Sequence, residues 1–555
     1  MNEIAILHIP ESQYCFATDT NTVRLRLRLD KSDTPSAVNV LYGGKYTFAR
    51  ERLAARMSLA YKDRLYAYYT VTLRLSDPRL AYVFELVDGG KTFYFSEDGL
   101  TEKYDFEYSY YNCFQYAYIN DCDVMKSVEW MRSATFYQIF VDRFDIGDTA
   151  KDKSYINLKW GDVPNPKSFA GGDIKGVTRR LEYLRSLGIS ALYLTPIFES
   201  VSNHKYDISD YYEIDKHFGN KSDLKELVEK AHAAGIAIVL DAVFNHCSEN
   251  LCEFRDVVKN GKKSRYYDWF IIKNDDPLEY ETFGDCAYMP KFNTSNPEVR
   301  DYLVDIATYW IKEFDIDGWR LDVSDEVSHL FWRQLRSAVK SVKPNCVLIG
   351  ENWHDANAYL RGNEFDGVMN YAFTKACLDF YAFGAFDAEA FACKLNELLM
   401  RNTDTVNSMM LNLLDTHDTH RFLTQAGGDK NKLMSALAVT YFFTGVPCIF
   451  YGTENCVEGG YDPDCRRTFD WAAERVDNPV KSLVKSLAAL RRDRAFVDSE
   501  VSVAAKDGLL VIERGGYKLT VNESGKPAKC GGRVTAGNKF AGGIVESGGF
   551  AVERV

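Results

Sequence analysis

Four short segments end apolar runs with acid, arginine, histidine or asparagine: DAVFNH (241–246), GWRLDVSDE (318–326), IGENWH (349–354) and LLDTHD (413–418). Hydrolysing an acetal takes one acid to protonate the departing oxygen. It also takes a carboxylate to stabilise, or bond to, the oxocarbenium-like carbon. Asp322 is the nucleophile candidate, because Arg320 lies two residues earlier on the same strand and so on the same face. A guanidinium there favours the ionised carboxylate; a purely structural pair is the alternative for an isolated RxD. Glu351 follows the apolar run VLIG, with Trp353 and His354 beside it. A carboxyl screened by an aromatic, near a second carboxylate, rises towards the range of a general acid. Asp418, after His417, is a third carboxylate, suited to sugar hydroxyls and to charge that develops during reaction. His204, His246, His354 and His417 all fall in these strand ends or adjoining loops. The spacings in HDTH and DAVFNH differ from HExxH and from Cys/His pairs, so no transition-metal site is expected.

Side chains from four distant segments meet where strands end on one face of an α/β barrel. The chain supplies eight such strands, near 135–141, 191–196, 237–243, 317–322, 346–351, 367–372, 409–415 and 446–451. Helical periodicity fills the gaps, as in DIKGVTRRLEYLRSLGI (173–189), DLKELVEKAHAAGI (223–236) and NPEVRDYLVDIATYWIKEFD (296–315). The expected fold is therefore α/β, a (β/α)8 TIM barrel over 126–496 with an inserted subdomain at about 247–295, where no clear period is seen. Residues 1–125 alternate as strands, TVRLRLRLD (22–30) most strictly, and predict a β-sandwich. The Gly-rich stretch 497–555 reads as a small carboxy-terminal β domain.

With 555 residues, 46% apolar and 14% aromatic, the chain is a multidomain globular protein. A net charge of −12 without a basic block argues against nucleic acid or an anionic membrane as partner. No apolar run approaches the roughly 20 residues that span a bilayer. Thirteen cysteines, scattered without CxxC spacing, point to free thiols in a reducing compartment. The start, MNEIAILHIPES, does not read as a signal peptide, and a cytoplasmic location is expected.

The four motifs together resemble the α-amylase family, glycoside hydrolase family 13, over about 130–470. The resemblance implies a retaining double displacement with Asp322 as nucleophile, Glu351 as acid/base and Asp418 as transition-state stabiliser. It implies that Arg320, His246 and His417 bind the reacting sugar, that Tyr206 of NHKYD (203–207) stacks under it, and that Asp241 and Asn245 support the site. Trp353 joins the substrate-binding set, as do Asp462 and Arg466 of DPDCRR (462–467), which match the donor-side wall. MPKFN (289–293), TFYQIFVDRF, FAGGDIKGV and GENWHD resemble the neopullulanase, cyclomaltodextrinase and maltogenic amylase branch. So does the amino-terminal extension, which is similar to the family 34 carbohydrate-binding module. That branch implies α-glucan oligosaccharides, pullulan and cyclodextrins as substrates and a homodimer formed through the amino-terminal domain. No cofactor is required for the chemistry.

Three departures stand out. Asp325–Glu326 occupies the place of the usual Asn-Glu, and Asn352 replaces an apolar residue beside the acid. Both leave the preference between α-1,4 and α-1,6 bonds open. The branch's calcium loop reads like RFANGD, whereas RFDIGDTAKDKS (143–154) lacks the Asn. Asp145, Asp148, Asp152, Gly171 and Asp173 remain as oxygen donors of the kind that suit a structural Ca2+, with a solvated acidic loop as the alternative. The rival enzyme reading is an oligo-1,6-glucosidase, or a disaccharide transferase or isomerase, of the same family. A catalytically inactive glycan-binding or scaffold protein is the rival of another class, and such proteins typically lose one of the acids that are all present here.

Overall fold

The computed structural model describes residues 1–476 and 478–555. Its internal contacts divide the chain into two units. One comprises Met1–Ser127, Phe386–Asn407 and Ser502–Leu510; the other comprises Val128–Ala385, Ser408–Val501 and Val511–Val555. Residues 386–407 and 502–510 thus group with the amino-terminal unit, although the sequence placed them in the barrel and in the last domain.

In the first unit, two antiparallel sheets form the expected sandwich. One sheet runs in the order Cys15–Asp19, Thr22–Asp30, Tyr66–Arg74, Ser58–Lys62. The other is built around Ala37–Gly44 and Leu80–Asp88. Val23, Leu25, Leu27 and Leu29 are fully buried between the sheets, as period-two alternation demands. Arg26 departs from that alternation. It is buried because its guanidinium donates to the carbonyls of Gln13 and Asn402 and pairs with Asp404.

In the second unit, eight parallel strands stand in the order of a barrel: β1 (Phe136–Ile139), β2 (Ala191–Leu194), β3 (Ala237–Ala242), β4 (Gly318–Leu321), β5 (Val347–Gly350), β6 (Gly367–Val368), β7 (Leu411–Leu413) and β8 (Val446–Phe450). A parallel bridge between Met369 and Leu411 joins β6 to β7 and closes the ring. All eight fall inside the expected ranges. Each is shorter than its apolar run, because the polar residues that end the run leave the ladder to form the site. Helix starts follow capping chemistry. Asn220 and Asp223 form a capping box on Lys221–Ala233, Asn296 precedes Pro297 at the start of Pro297–Phe314, and Ser328 caps His329–Val342.

Two local readings change. The stretch 173–189 breaks at Arg180 into Ile174–Arg179 and Leu181–Leu187, and ends at Gly188 with φ +85°. The insertion contains a helix, Cys252–Asn260, and a hairpin of Ile272–Asp275 with Leu278–Tyr280. That helix buries only Phe254 and Val257, too few apolar positions to register as a period. In the carboxy-terminal part of this unit, Ile544–Arg554 pairs antiparallel with Tyr517–Asn522, Arg533–Ala541 and Ala528–Lys529. Among the described residues no helix is long and apolar enough to cross a membrane, and all thirteen cysteines are free.

Candidate active site

Arg320 on β4 organises the centre. Its Nη1 donates to Asp322 Oδ1 at 2.7 Å and to both oxygens of Asp241 at 3.0 Å. Its Nη2 lies 2.6 Å from Glu351 Oε1, an ion pair in which the N–H is not aimed at the oxygen. Register explains the contact with Asp241, which on β3 sits directly across from Arg320. Asp322 and Glu351 are each the first residue beyond their strands, so both carboxyls project at the same rim.

Glu351 is held by the turn that follows Asp322. Val323 adopts the left-handed conformation, φ 44° and ψ 47°, which a β-branched residue rarely occupies. There its N–H donates to Glu351 Oε2 at 3.0 Å, while Ser324 Oγ donates to the Glu351 carbonyl at 2.6 Å. Strain of this kind persists where the surroundings over-determine it.

Burial pushes Asp241 up to about 6 and raises Glu351 and Asp322, with Arg320 opposing the shift in each case. One guanidinium cannot neutralise three carboxylates, so the cluster retains a proton. The donated N–H bonds favour charge on Asp322 and Asp241. Glu351 receives no N–H from Arg320 and feels the charge of Asp418, which favour its neutral form, while the Val323 N–H favours its charge. Asp322 Oδ2 is buried with no hydrogen-bond partner among the described residues.

A second chain of bonds fixes His417. Gln138 Nε2 on β1 donates to His417 Nδ1 at 2.7 Å, so the ring proton sits on Nε2. Nε2 lies 2.6 Å from the Tyr206 hydroxyl and 3.1 Å from Asp418 Oδ2. Tyr206 in turn donates to Asp241 Oδ2 at 3.0 Å, as does Tyr193 at 2.6 Å. Burial holds His417 well below its usual pKa and lowers His246 to about 3, so both rings are neutral. His246 stacks on Phe283 at 4.7 Å, and its Nε2 is buried without a partner among the described residues. Asn245 beside it accepts from Lys291 of MPKFN, whose ammonium also reaches Glu326 at 2.8 Å. The inserted subdomain is thereby tied to the loop after β4.

Asp418 is bonded to Arg466, whose Nη1 pairs with Asp462 at 2.8 Å and whose Nε donates to the His417 carbonyl at 2.7 Å. These residues adjoin a cleft of about 620 Å³ lined by Phe169, His204, Asp207, Tyr288, Asp462 and Arg466. Trp353, two residues after Glu351, is the outer member of an aromatic pair. Its ring is half exposed and stacks on Tyr371 at 3.8 Å. Tyr371 is the buried aromatic of the pair; burial and the charges of Glu351 and Asp418 raise its phenol. Gln138, Tyr193 and Tyr371 are site residues that the motifs missed. Gln138 alone carried a signal, as the one polar residue inside TFYQIF.

The five residues expected around a cation do not form a donor set. Asp145 is bonded to Arg179 and Arg180, Asp148 to Lys175, and exposed Asp152 to Ser154 in its own turn. The Gly171 carbonyl and Asp173 are bonded to Lys151. Among the described residues, no group of three or more His, Cys, Asp or Glu side chains is arranged to hold a metal ion.

The α-amylase catalytic domain family matches residues 138–496, and the α-amylase amino-terminal Ig-like domain family matches 1–120. A cyclomaltodextrinase of Thermoanaerobacter pseudethanolicus is 44% identical over 496 residues, covering 88% of this chain and 86% of that protein. Neopullulanase 2 of Thermoactinomyces vulgaris is 42% identical over 498 residues, covering 88% and 84%. A solved cyclomaltodextrinase structure superposes with a TM-score of 0.91 at 36% identity, covering 100% of both chains. Three carboxyls gathered by one arginine at the rim of an eight-stranded barrel, in a chain matched over most of its length, make this protein a glycoside hydrolase of the α-amylase family.

Proposed function

We propose that the enzyme hydrolyses α-1,4-glucosidic bonds in cyclodextrins, maltooligosaccharides and pullulan by double displacement. Asp322 Oδ2 attacks the anomeric carbon while Glu351 protonates the leaving oxygen, forming a covalent glycosyl-enzyme. Glu351, now ionised, then takes a proton from water, which attacks the same carbon from the opposite side and restores Asp322. The observation that carries this reading is the asymmetric hold of Arg320, which donates to Asp322 but only neighbours Glu351. Asp418, His417 and His246 bind the hydroxyls of the reacting sugar, Tyr206 packs against its ring, and Asp462 and Arg466 meet the next sugar. Trp353, exposed beside the acid, faces the leaving group. The names of the relatives, cyclomaltodextrinase and neopullulanase, support the substrate class.

The enzyme is a homodimer formed through its amino-terminal unit, a reading supported by the exposed Tyr46, Tyr108, Tyr110, Tyr111 and Tyr118 there. Its free cysteines fit a cytoplasmic location. Initial rates on β-cyclodextrin, pullulan and soluble starch test the substrate assignment. Cyclodextrin opened faster than starch is the expected result; starch cleaved as fast or faster would mean an open cleft and a different specificity.

A further inference from the structure

Asp173 is buried and saturated. Its carboxylate accepts the N–H groups of Gly147 at 2.9 Å, Asp148 at 3.1 Å and Gly176 at 2.8 Å, and Lys151 Nζ lies 2.9 Å from its Oδ2. The same ammonium donates to the carbonyls of Gly171 at 2.6 Å and His217 at 3.0 Å. Two of its donors thus meet carbonyl oxygens, and its charge pairs with the Asp173 carboxylate. The oxygens come from two separate stretches of chain, 171–173 and His217, so Lys151 gathers them as a bound cation would.

The surroundings are charge-balanced without a metal. Arg179 and Arg180 both bond to Asp145 Oδ2, at 3.0 and 2.6 Å, and Lys175 takes Asp148 at 2.9 Å. Calcium needs six to eight oxygens at about 2.3–2.6 Å. Here the nearby carboxylates are already committed to four cations, and the Gly171 carbonyl and Asp173 are occupied by one of them. A divalent ion could enter only by displacing Lys151. The packing leaves little latitude for that: a Cβ on Gly147 would lie 2.1 Å from the Gly176 nitrogen, and one on Gly171 would lie 2.4 Å from Ile156.

We propose that the Lys151 ammonium replaces a structural calcium ion, so that the loop 145–154 is held by a covalently tethered cation and the enzyme is independent of calcium. The loop matters to the active site because of what Gly171 also does. Its N–H donates to Asp142, Asp142 pairs with Arg143, and Arg143 holds the Arg466 carbonyl at 2.8 Å. Arg466 is the partner of Asp418 and Asp462. Lys151 is thus a positioning residue, four contacts from Arg466.

Metal content and thermal unfolding of the full-length enzyme test this, with calcium chloride or EGTA as the only additions. Wild type is expected to carry no stoichiometric calcium after dialysis and to melt at the same temperature in both. Lys151→Met, which keeps the length and removes the charge, is expected to melt several degrees lower. Lys151→Asn, which offers an amide oxygen instead, is expected to melt low in EGTA and to recover in calcium. One calcium per wild-type chain with a melting temperature that drops in EGTA would overturn the proposal. So would a Lys151→Met enzyme as stable as wild type, or a Lys151→Asn enzyme indifferent to calcium. The wild-type measurement decides even if a variant does not fold, and none of these results bears on the catalytic roles.

Discussion

The backbone N–H of Val323 donates to Glu351 Oε2 across 3.0 Å, so the residue after the nucleophile orients the acid. The two catalytic carboxyls are coupled by the chain itself as well as by Arg320. A left-handed β-branched residue costs about 1–2 kcal/mol, and glycine would relieve it at an entropic cost of about 0.5–1 kcal/mol. Val323→Gly should therefore unfold at an equal or slightly higher temperature while kcat falls, because the turn that aims Glu351 is loosened. Calorimetry and kcat on one substrate check both halves. A variant less stable and fully active would contradict the strain argument.

Glu351→Gln should lower kcat by about 10²–10⁴-fold while substrate binding, measured by calorimetry with a slow substrate, persists. This separates an enzyme from a glycan-binding protein of the same shape.

Arg320→Lys should be more damaging than a charge-conserving change suggests. Lysine has no planar fork to reach Asp322, Asp241 and Glu351 together. Breaking buried pairs of this kind costs about 3–5 kcal/mol, so a marked drop in melting temperature and nearly complete loss of activity are expected.

The pH profile of kcat/KM should be bell-shaped. Its two limbs belong to the coupled carboxyls, and both should lie above ordinary carboxylate values, because burial raises Asp322 and Glu351 alike. Glu351→Gln should abolish the alkaline limb. Stability carries a separate dependence with the opposite sign. His204 is lowered to about 4 and His246 to about 3 from 6.5, so below pH 6.5 the unfolded chain binds protons that the folded one refuses. Their contribution is present above pH 6.5 and is lost progressively as pH falls towards 3–4. His246→Asn should shrink that acid-side loss, measured as melting temperature against pH.

Gln138→Glu should place an acceptor beside His417 Nδ1 and draw the ring proton from Nε2, which faces Asp418, to Nδ1. Losing a well-placed bond to a charged group costs about 1.5–3 kcal/mol, and a comparable fall of about 10–100-fold in kcat/KM is expected. The tautomer change should be visible in nitrogen NMR of His417.

Strand ends are legible because each apolar run stops at a residue that the fold brings to the same rim: Asp241, Asp322, Glu351 and the His417–Asp418 pair. Local sequence carries that pattern. It does not carry partners that arrive from elsewhere, so Gln138 under His417, 279 residues away, and Tyr193 under Asp241 went unread. Nor does adjacency to Glu351 reveal that Trp353 stacks on Tyr371. Around Lys151 the acids were counted and the lysine was passed over, although the lysine meets the oxygens. Strict alternation does not show that Arg26 is buried, because Asn402 and Asp404, its partners, lie far along the chain.

The central claim is that Asp322 forms the covalent bond. Incubating Glu351→Gln with an activated α-glucosyl fluoride should load the enzyme with sugar, since the leaving group needs no acid and the second step lacks its base. Digestion and mass spectrometry should place the added glucosyl mass on the peptide that contains Asp322, with α-configured product on slow release. An adduct on a different carboxylate, or β-configured product with no adduct, would contradict the account.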